Sequence, residues 1–491
     1  AGPLRGKTFR MNNVPVPTGP GHPRYEITVA EYRFCLLTVQ DSLEGSARLE
    51  DGKVGGILDL VEPAADPFAR KRAKAQAEAL EAYRKQGGQI FYTVRVRTDM
   101  GRSDGKLAPF PGGSRNIVDL LIHHLGSYLA AWNPLSWLSR AGPSYLTFNA
   151  DVNLPNGMSA IRDFAWHPVL PRYAVALPDN RIYFRDLQDG GWDQQLILAH
   201  QFQANVNCLK WSPTCNVLAV GCDHGTCLWT FVTSNQGGRL GRFDKKLDRT
   251  AWMQFLPCPG RRISGLEWSP CGRFLATWAN GCATFVVWDI AKGRQGKTPL
   301  SVGDDIVTLK WSPDGGSLFV GTRGKCFRIW KTFDWTSTAW MEPGYTSACW
   351  DKKGEVLLLA SKDSTKIAVI NFSPRSQALQ NRMTIDLTPS GQVPGGCVHQ
   401  MEWSPNSKRL AISFRDNGGR NSELIAVFGT TWRTLPTFQP LGFIRGPAGK
   451  DGHKNMPVLM RFRPHCKGGA LLAVCWAQGQ ITLYPMLFDM K

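Results

Sequence analysis

Cys215, Cys222, Asp223, His224 and Cys227 crowd into one short stretch, and thiolate, imidazole and carboxylate side chains so close together first suggest zinc. Structural zinc sites draw their ligands from short paired spacings such as Cys-x2-4-Cys and His-x3-5-His. The spacing of this group as a whole matches no usual finger, and two of its members fall on repeat strands, so its cysteines read as core thiols and no metal is expected. His123 and His124 are adjacent, which on a helix points them in different directions. Gly446-Pro-Ala-Gly449-Lys450 resembles a phosphate loop, but Ile444 stands where its first glycine is needed and Asp451 where Ser or Thr should follow the lysine. Neither a Gly-x-Ser-x-Gly elbow nor a His-Glu-x-x-His helix nor a kinase signature set occurs. The chain is therefore expected to have no catalytic residue, no cofactor, no metal and no small-molecule substrate.

What the sequence does repeat is an aromatic residue, one further residue, then Pro. It appears as Phe164-Ala-Trp166-His-Pro168, Leu209-Lys-Trp211-Ser-Pro213, Leu266-Glu-Trp268-Ser-Pro270, Leu309-Lys-Trp311-Ser-Pro313, Met401-Glu-Trp403-Ser-Pro405 and Met460-Arg-Phe462-Arg-Pro464. A seventh, degenerate copy is Ala348-Cys-Trp350-Asp-Lys-Lys-Gly354, which lacks the Pro. The seven aromatic anchors lie 39 to 59 residues apart, a period that signals stacked or radial repeats. Eighteen Trp in 491 residues fit such a recurring structural use.

The residues around each anchor specify short strands. Val206-Asn-Cys208-Leu-Lys-Trp211 alternates apolar and polar residues, as a strand with two differing faces does. Pro then presets φ for a tight turn, and Asp314-Gly315 or Cys271-Gly272 completes it. The next run, such as Val217-Leu-Ala-Val220 or Leu471-Leu-Ala-Val474, is continuously apolar, as expected of a strand covered on both faces. A third strand ends in an aromatic, once as the strict dipeptide Trp288-Asp289 that names WD40 repeats; Gly452-His453 is their other signature, and His200 holds a comparable place before Trp211. These His and Asp residues are read as members of strand-tying hydrogen-bond networks, not as catalysts. Units of three or four strands cannot bury both faces alone, so the fold expected is an all-β, seven-bladed WD40-type propeller over 151–491. The last unit shows only three strands. A fourth must come from upstream to remove the open edge, with Tyr145-Leu-Thr-Phe148 preferred slightly over Tyr25-Glu-Ile-Thr-Val29. The longer intervals read as polar insertions at 231–260, 371–398 and 430–457.

The first 150 residues form a separate N-terminal segment. Residues 1–24 are rich in Gly and Pro and read as an extended arm of the kind that lies across partners. Asp66-Pro67-Phe68 starts one helix, which runs to Gly87-Gly88. A second spans 116–132 with an apolar stripe that includes Leu121, Leu125, Leu129 and Trp132. Two accounts of the stripe stand: packing on the propeller, or docking to a partner or membrane interface with Trp132 and Trp137 as anchors. Thirteen Cys, an odd number, lie mostly in apolar stretches and favour reduced thiols inside the cell. The net charge of +19 is spread along the chain, which argues against direct nucleic-acid binding. Arg261-Arg262 is the one adjacent arginine pair in the propeller, without the flanking pattern of a phosphoinositide-binding propeller. No apolar run is long enough to span a membrane, so membrane attachment is expected to be indirect.

With the blades laid out, the chain from about residue 160 onward resembles the Aladin family of WD-repeat nucleoporins. The likeness rests on Phe164-Ala-Trp-His-Pro168 followed by Tyr173-Ala-Val-Ala-Leu177, on Leu275 to Asp289 with its Val-Trp-Asp ending, and on Lys310-Trp-Ser-Pro-Asp-Gly315. Gly442-Phe-Ile-Arg-Gly446 and Lys467-Gly-Gly-Ala-Leu-Leu472 follow in matching order. The resemblance implies a structural nucleoporin of the nuclear pore complex, held at the nuclear envelope by a transmembrane nucleoporin. It also implies other nucleoporins as partners, support of nucleocytoplasmic traffic of protein and messenger RNA, and a link to the mitotic spindle pole. Phosphoinositide- and RNA-binding propellers are the alternative readings.

Overall fold

A computed structural model of the chain describes residues 8–10, 16–17, 26–32, 35–40 and 94–95, and 161–488 apart from 188–191, 215, 232–250, 259–260, 293–296, 325, 343, 374–377, 390–393, 416–421, 433–435, 448–453 and 467. Seven antiparallel sheets follow one another along the chain. They form blades 1 to 7 at 163–198, 208–257, 263–301, 306–340, 347–386, 398–445 and 457–487. The first strand of each blade touches the first strands of both neighbours, and Pro457–Phe462 of blade 7 returns to Asp163–Trp166 of blade 1. The fold is thus an all-β, seven-bladed propeller with the first strands innermost.

Seven apolar clusters hold the ring, one at each junction between neighbouring blades. In every one, the anchor aromatic of a blade packs against the blade before it. Trp211 meets Ala174 and Phe184 of blade 1, and Trp166 closes the circle against Leu471 and Ala473 of blade 7. The second strands are covered on both faces, as Ser317–Thr322 and Arg409–Phe414 show with every residue buried. Burial of this kind contributes about 25 cal/mol per Å² of apolar surface, so each junction depends on large flat rings filling a wedge-shaped gap.

The three presumed insertions contain the outer strands of their blades. Ala251–Pro257, Ala378–Asp386 and Pro436–Arg445 are the fourth strands of blades 2, 5 and 6. Their partly exposed outer position removes the apolar run that marks an inner strand; Ala251–Pro257 has just one buried residue.

Blade 7 is completed from the N-terminus by Glu26–Tyr32, which pairs in parallel with Gln480–Leu487 through Glu31 with Met486 and Tyr32 with Leu487. Cys35–Gln40 adds a further antiparallel strand outside it, and Val94–Arg95 pairs with the other end of Gln480–Leu487. The strand position first assigned to Tyr145–Phe148 is therefore filled by the segment near Tyr25; residues 145–148 lie outside the described residues. Parts of the arm lie along the chain's own blades. Thr8–Arg10 adds a parallel fifth strand to blade 5, and the Pro17 carbonyl accepts from Arg445 of blade 6 at 3.1 Å. The helices expected at 66–87 and 116–132 lie outside the described residues.

Candidate interaction surfaces of the propeller

Six of the seven anchors are followed by a side chain that accepts hydrogen bonds within the next turn; Phe462 is followed by Arg463, which donates to the Val169 carbonyl instead. Ser269, Ser312 and Ser404 accept the backbone N–H groups of Phe274, Ser317 and Arg409, each at 2.9 Å. Asp351 of the degenerate repeat does the same for Val356 at 2.8 Å and also accepts from Lys353 and Glu355. In blade 1, His167 Nδ1 accepts from Leu170 at 2.9 Å. The same turns place Gly272, Gly315 and Gly354 at φ of 72°, 75° and 74°, a left-handed conformation that glycine adopts without a Cβ penalty. The Ser in Trp-Ser-Pro thus carries a task that the Pro conceals in the sequence, and its recurrence was the available signal.

The anchors also tie blades by hydrogen bonds. Trp166, Trp268 and Trp350 donate their indole N–H to the carbonyls of Arg461, Lys210 and Lys310, at 3.1 to 3.2 Å, each on the preceding blade. Trp211, Trp311 and Trp403 use packing alone, since their indole N–H groups have no partner among the described residues. Phe462 occupies the remaining junction, against Ala411 and Val427 of blade 6. Trp288 is fully buried and donates to Thr277 Oγ1 at 3.1 Å. Asp289 receives Arg273 at 2.8 Å, and that bond holds its carboxyl below the usual range. His453 lies outside the described residues. His200 is exposed; three residues on, buried Gln203 accepts from the Trp229 indole at 2.9 Å and donates to the carbonyls of Asn180 and Leu198. Leu121, Leu125, Leu129, Trp132 and Trp137 lie outside the described residues. Cys222 and Cys227 are buried in the hairpin of blade 2. The Cys227 side chain and burial push the Cys222 thiol far up. Cys215 lies outside the described residues.

Around the axis, the residues before five of the anchors, Lys210, Glu267, Lys310, Glu402 and Arg461, form with Asp163 a ring of charge that the repeat motif left unread. Lys210 of blade 2 lies 2.9 Å from Glu267 of blade 3, and Lys310 of blade 4 lies 4.0 Å from the same carboxylate. Arg461 of blade 7 pairs with Asp163 of blade 1 at 2.9 Å, and Asp163 also accepts the Leu209 N–H of blade 2 at 2.6 Å. Gln400 of blade 6 bonds both the N–H and the carbonyl of Met460 in blade 7, at 3.0 and 2.8 Å. Burial opposes charge on Glu267, but Lys210 and Lys310 outweigh it and hold the carboxyl low. Burial likewise works against Arg461, and Asp163 and Glu402 more than compensate. Signs alternate around the inner wall, so the ring balances itself and ties each charged blade to its neighbour.

A solvent-open cleft of about 530 Å³ lies between blades 2 and 3, lined by Asn207, Arg261, Arg262, Ser264, Asn280 and Cys282, with Ala279. Arg262 is held in place: it donates to Asn207 Oδ1 at 2.5 Å, and its Nε lies 3.4 Å from Asp223. Asn205 fixes the far oxygen of Asp223 at 2.5 Å. Arg261 beside it is exposed, and its guanidinium has no partner among the described residues.

Seven four-stranded blades, joined by aromatic anchors and closed by an N-terminal strand, define a WD40-type β-propeller, a fold that offers loop faces and blade edges for binding. A family model described as the Aladin seven-bladed propeller matches residues 153–487. Aladin of Arabidopsis thaliana is 29% identical over 435 residues, covering 84% of this chain and 92% of the relative. The Chromatin assembly factor 1 subunit FAS2 homolog of Oryza sativa subsp. japonica is 25% identical over 174 residues, 33% of either chain. A chain in a crystal structure of the Mitotic Checkpoint Complex overlays with a TM-score of 0.49 at 15% identity, covering 69% of this chain and 97% of its own. The chain belongs to the Aladin propeller family.

Proposed function

We propose that this protein is a structural scaffold of the nuclear pore complex. It binds other nucleoporins at the nuclear envelope, including a transmembrane nucleoporin that anchors it, and supports nucleocytoplasmic transport of protein and messenger RNA, with a further role at the spindle pole in mitosis. The observation that carries this reading is the family match over the whole propeller, extended by similarity to a plant Aladin across 92% of that relative's length. In support, the described polar clusters are tied up in turns, blade junctions and the axial ring, arrangements suited to holding a rigid binding platform. Among the described residues no helix is long and apolar enough to cross a membrane. The stripe of Leu121, Leu125 and Leu129 with Trp132 and Trp137 is proposed as a partner-binding element.

The tagged full chain, expressed in cells, is expected to form a nuclear rim and to co-purify with pore membrane proteins. Deleting residues 1–150 removes both the proposed contact and the ring-closing strand, so the informative variant replaces Leu121, Leu125 and Leu129 with Ser. Retention of the fold with loss of co-purification is the expected result. A tagged wild-type chain that stays diffuse in the cytosol would sink the scaffold reading.

A further inference from the structure

We propose that the cleft between blades 2 and 3 is a docking site for an extended peptide of a partner protein, read through one Asp or Glu side chain that Arg261 grips. The proposal rests on the reading of the propeller as a protein-binding scaffold, and it adds where and how one partner is recognised.

Three features carry it. First, the two arginines are not equivalent. Arg262 is oriented and largely neutralised by Asp223, with Asn207 as a second support, while the Arg261 guanidinium has no partner among the described residues. Arginine offers a planar fork that matches a carboxylate in two parallel hydrogen bonds, and Arg261, Arg262 and Asp223 together leave one net positive charge. The site is thus matched to a single carboxylate. A polyphosphorylated headgroup carries several charges and would call for several free cations.

Second, the rest of the lining suits a peptide backbone. The Asn207 amide already donates to the Ile263 carbonyl at 3.2 Å and is fixed. Ser264 is fixed as well, accepting from the Asn280 N–H at 3.0 Å and donating to the Arg262 carbonyl at 3.3 Å. The exposed Asn280 side chain remains to supply both a donor and an acceptor to a passing chain. Third, among the described residues Ala279 and Cys282 are the only apolar or weakly polar lining side chains. The cleft has none of the large apolar side chains with which a lipid-headgroup site inserts into a bilayer. Its volume of about 530 Å³ is that of a small-ligand pocket, room for a few residues of a chain.

The test uses the purified full chain and an array of short linear peptides that differ only in Asp and Glu content and position, probed at low ionic strength to limit screening. Retention is expected to require an acidic residue, to fall at least tenfold in Arg261→Glu, and to fall less in Arg261→Lys, which keeps the charge and loses the fork. Changing the peptide's Glu to Lys is expected to restore binding to Arg261→Glu. Because Arg261 is exposed and has no partner among the described residues, the variants should unfold at the wild-type temperature. Vesicles of phosphatidylcholine with a phosphoinositide form the second arm. Arg261-dependent binding to those vesicles without peptide retention overturns the proposal, as does peptide retention that ignores acidity or Arg261. Nuclear-rim localisation of Arg261→Glu is expected to be unchanged, which separates failure at this cleft from failure of the scaffold reading.

Discussion

At the scale of single residues, the repeat is held by the acceptor that follows six of the seven anchors. Asp351 is buried and serves three backbone N–H groups. Removing it in Asp351→Ala leaves the buried Val356 N–H unsatisfied, a cost of about 1–3 kcal/mol. Urea denaturation should show that loss, and Asp351→Ser should recover most of it by copying Ser312 and Ser404; an Asp351→Ala variant as stable as wild type would remove the turn from the account. The sequence displays the aromatic anchors plainly because size and spacing mark them. It conceals the acceptors, since Ser, His and Asp share no side-chain class and become equivalent through their position in the turn. The axial charges were hidden for a related reason. Lys210, Glu267, Lys310, Glu402 and Arg461 look like ordinary polar strand positions until the ring brings them face to face.

Among the elements, inner strands were readable and outer ones were not. A second strand such as Val356–Ala360 is wholly buried and therefore wholly apolar, whereas an outer strand can be made of nearly any residues that tolerate extension. The same looseness left the ring-closing strand open between two segments, and the structure fills it with Glu26–Tyr32. What fixes that strand is chemistry far away in sequence. Glu31 receives two bonds from Arg409 of blade 6, at 2.7 and 2.5 Å, and the pair is almost fully buried. Thr28 accepts the Arg445 N–H at 3.2 Å. Breaking such a buried pair by removing one partner costs roughly 3–5 kcal/mol, whereas exchanging both for apolar residues costs far less. Glu31→Ala should therefore lower the urea midpoint strongly, and Glu31→Leu combined with Arg409→Met should be milder than the single change. Equal stability of Glu31→Ala and wild type would show that the strand is dispensable.

For the whole molecule, the axial ring makes stability depend on pH. The Glu267 carboxyl is held below its usual range by Lys210 and Lys310, so its contribution is present above the unfolded value of about 4.3 and is lost as pH falls through the lower folded value. The melting temperature of Glu267→Gln should lie below that of wild type at pH 7, and the gap should close as the pH is taken below about 4. A gap that stays constant over that range would mean the carboxylate's charge is irrelevant.

Pairing Glu31 with Met486 also sets a timetable for biosynthesis. Glu26–Tyr32 is translated before every blade and must wait for blade 7, and at about 5–20 residues per second that wait is on the order of a minute. Until then Glu26–Tyr32 has at most its blade 6 contacts, because its partner strand Gln480–Leu487 does not exist. A nascent chain of this protein therefore spends most of its synthesis as an open arc with sticky ends. A premature stop that removes only blade 7 withholds the clasp from a chain whose other six blades are already made.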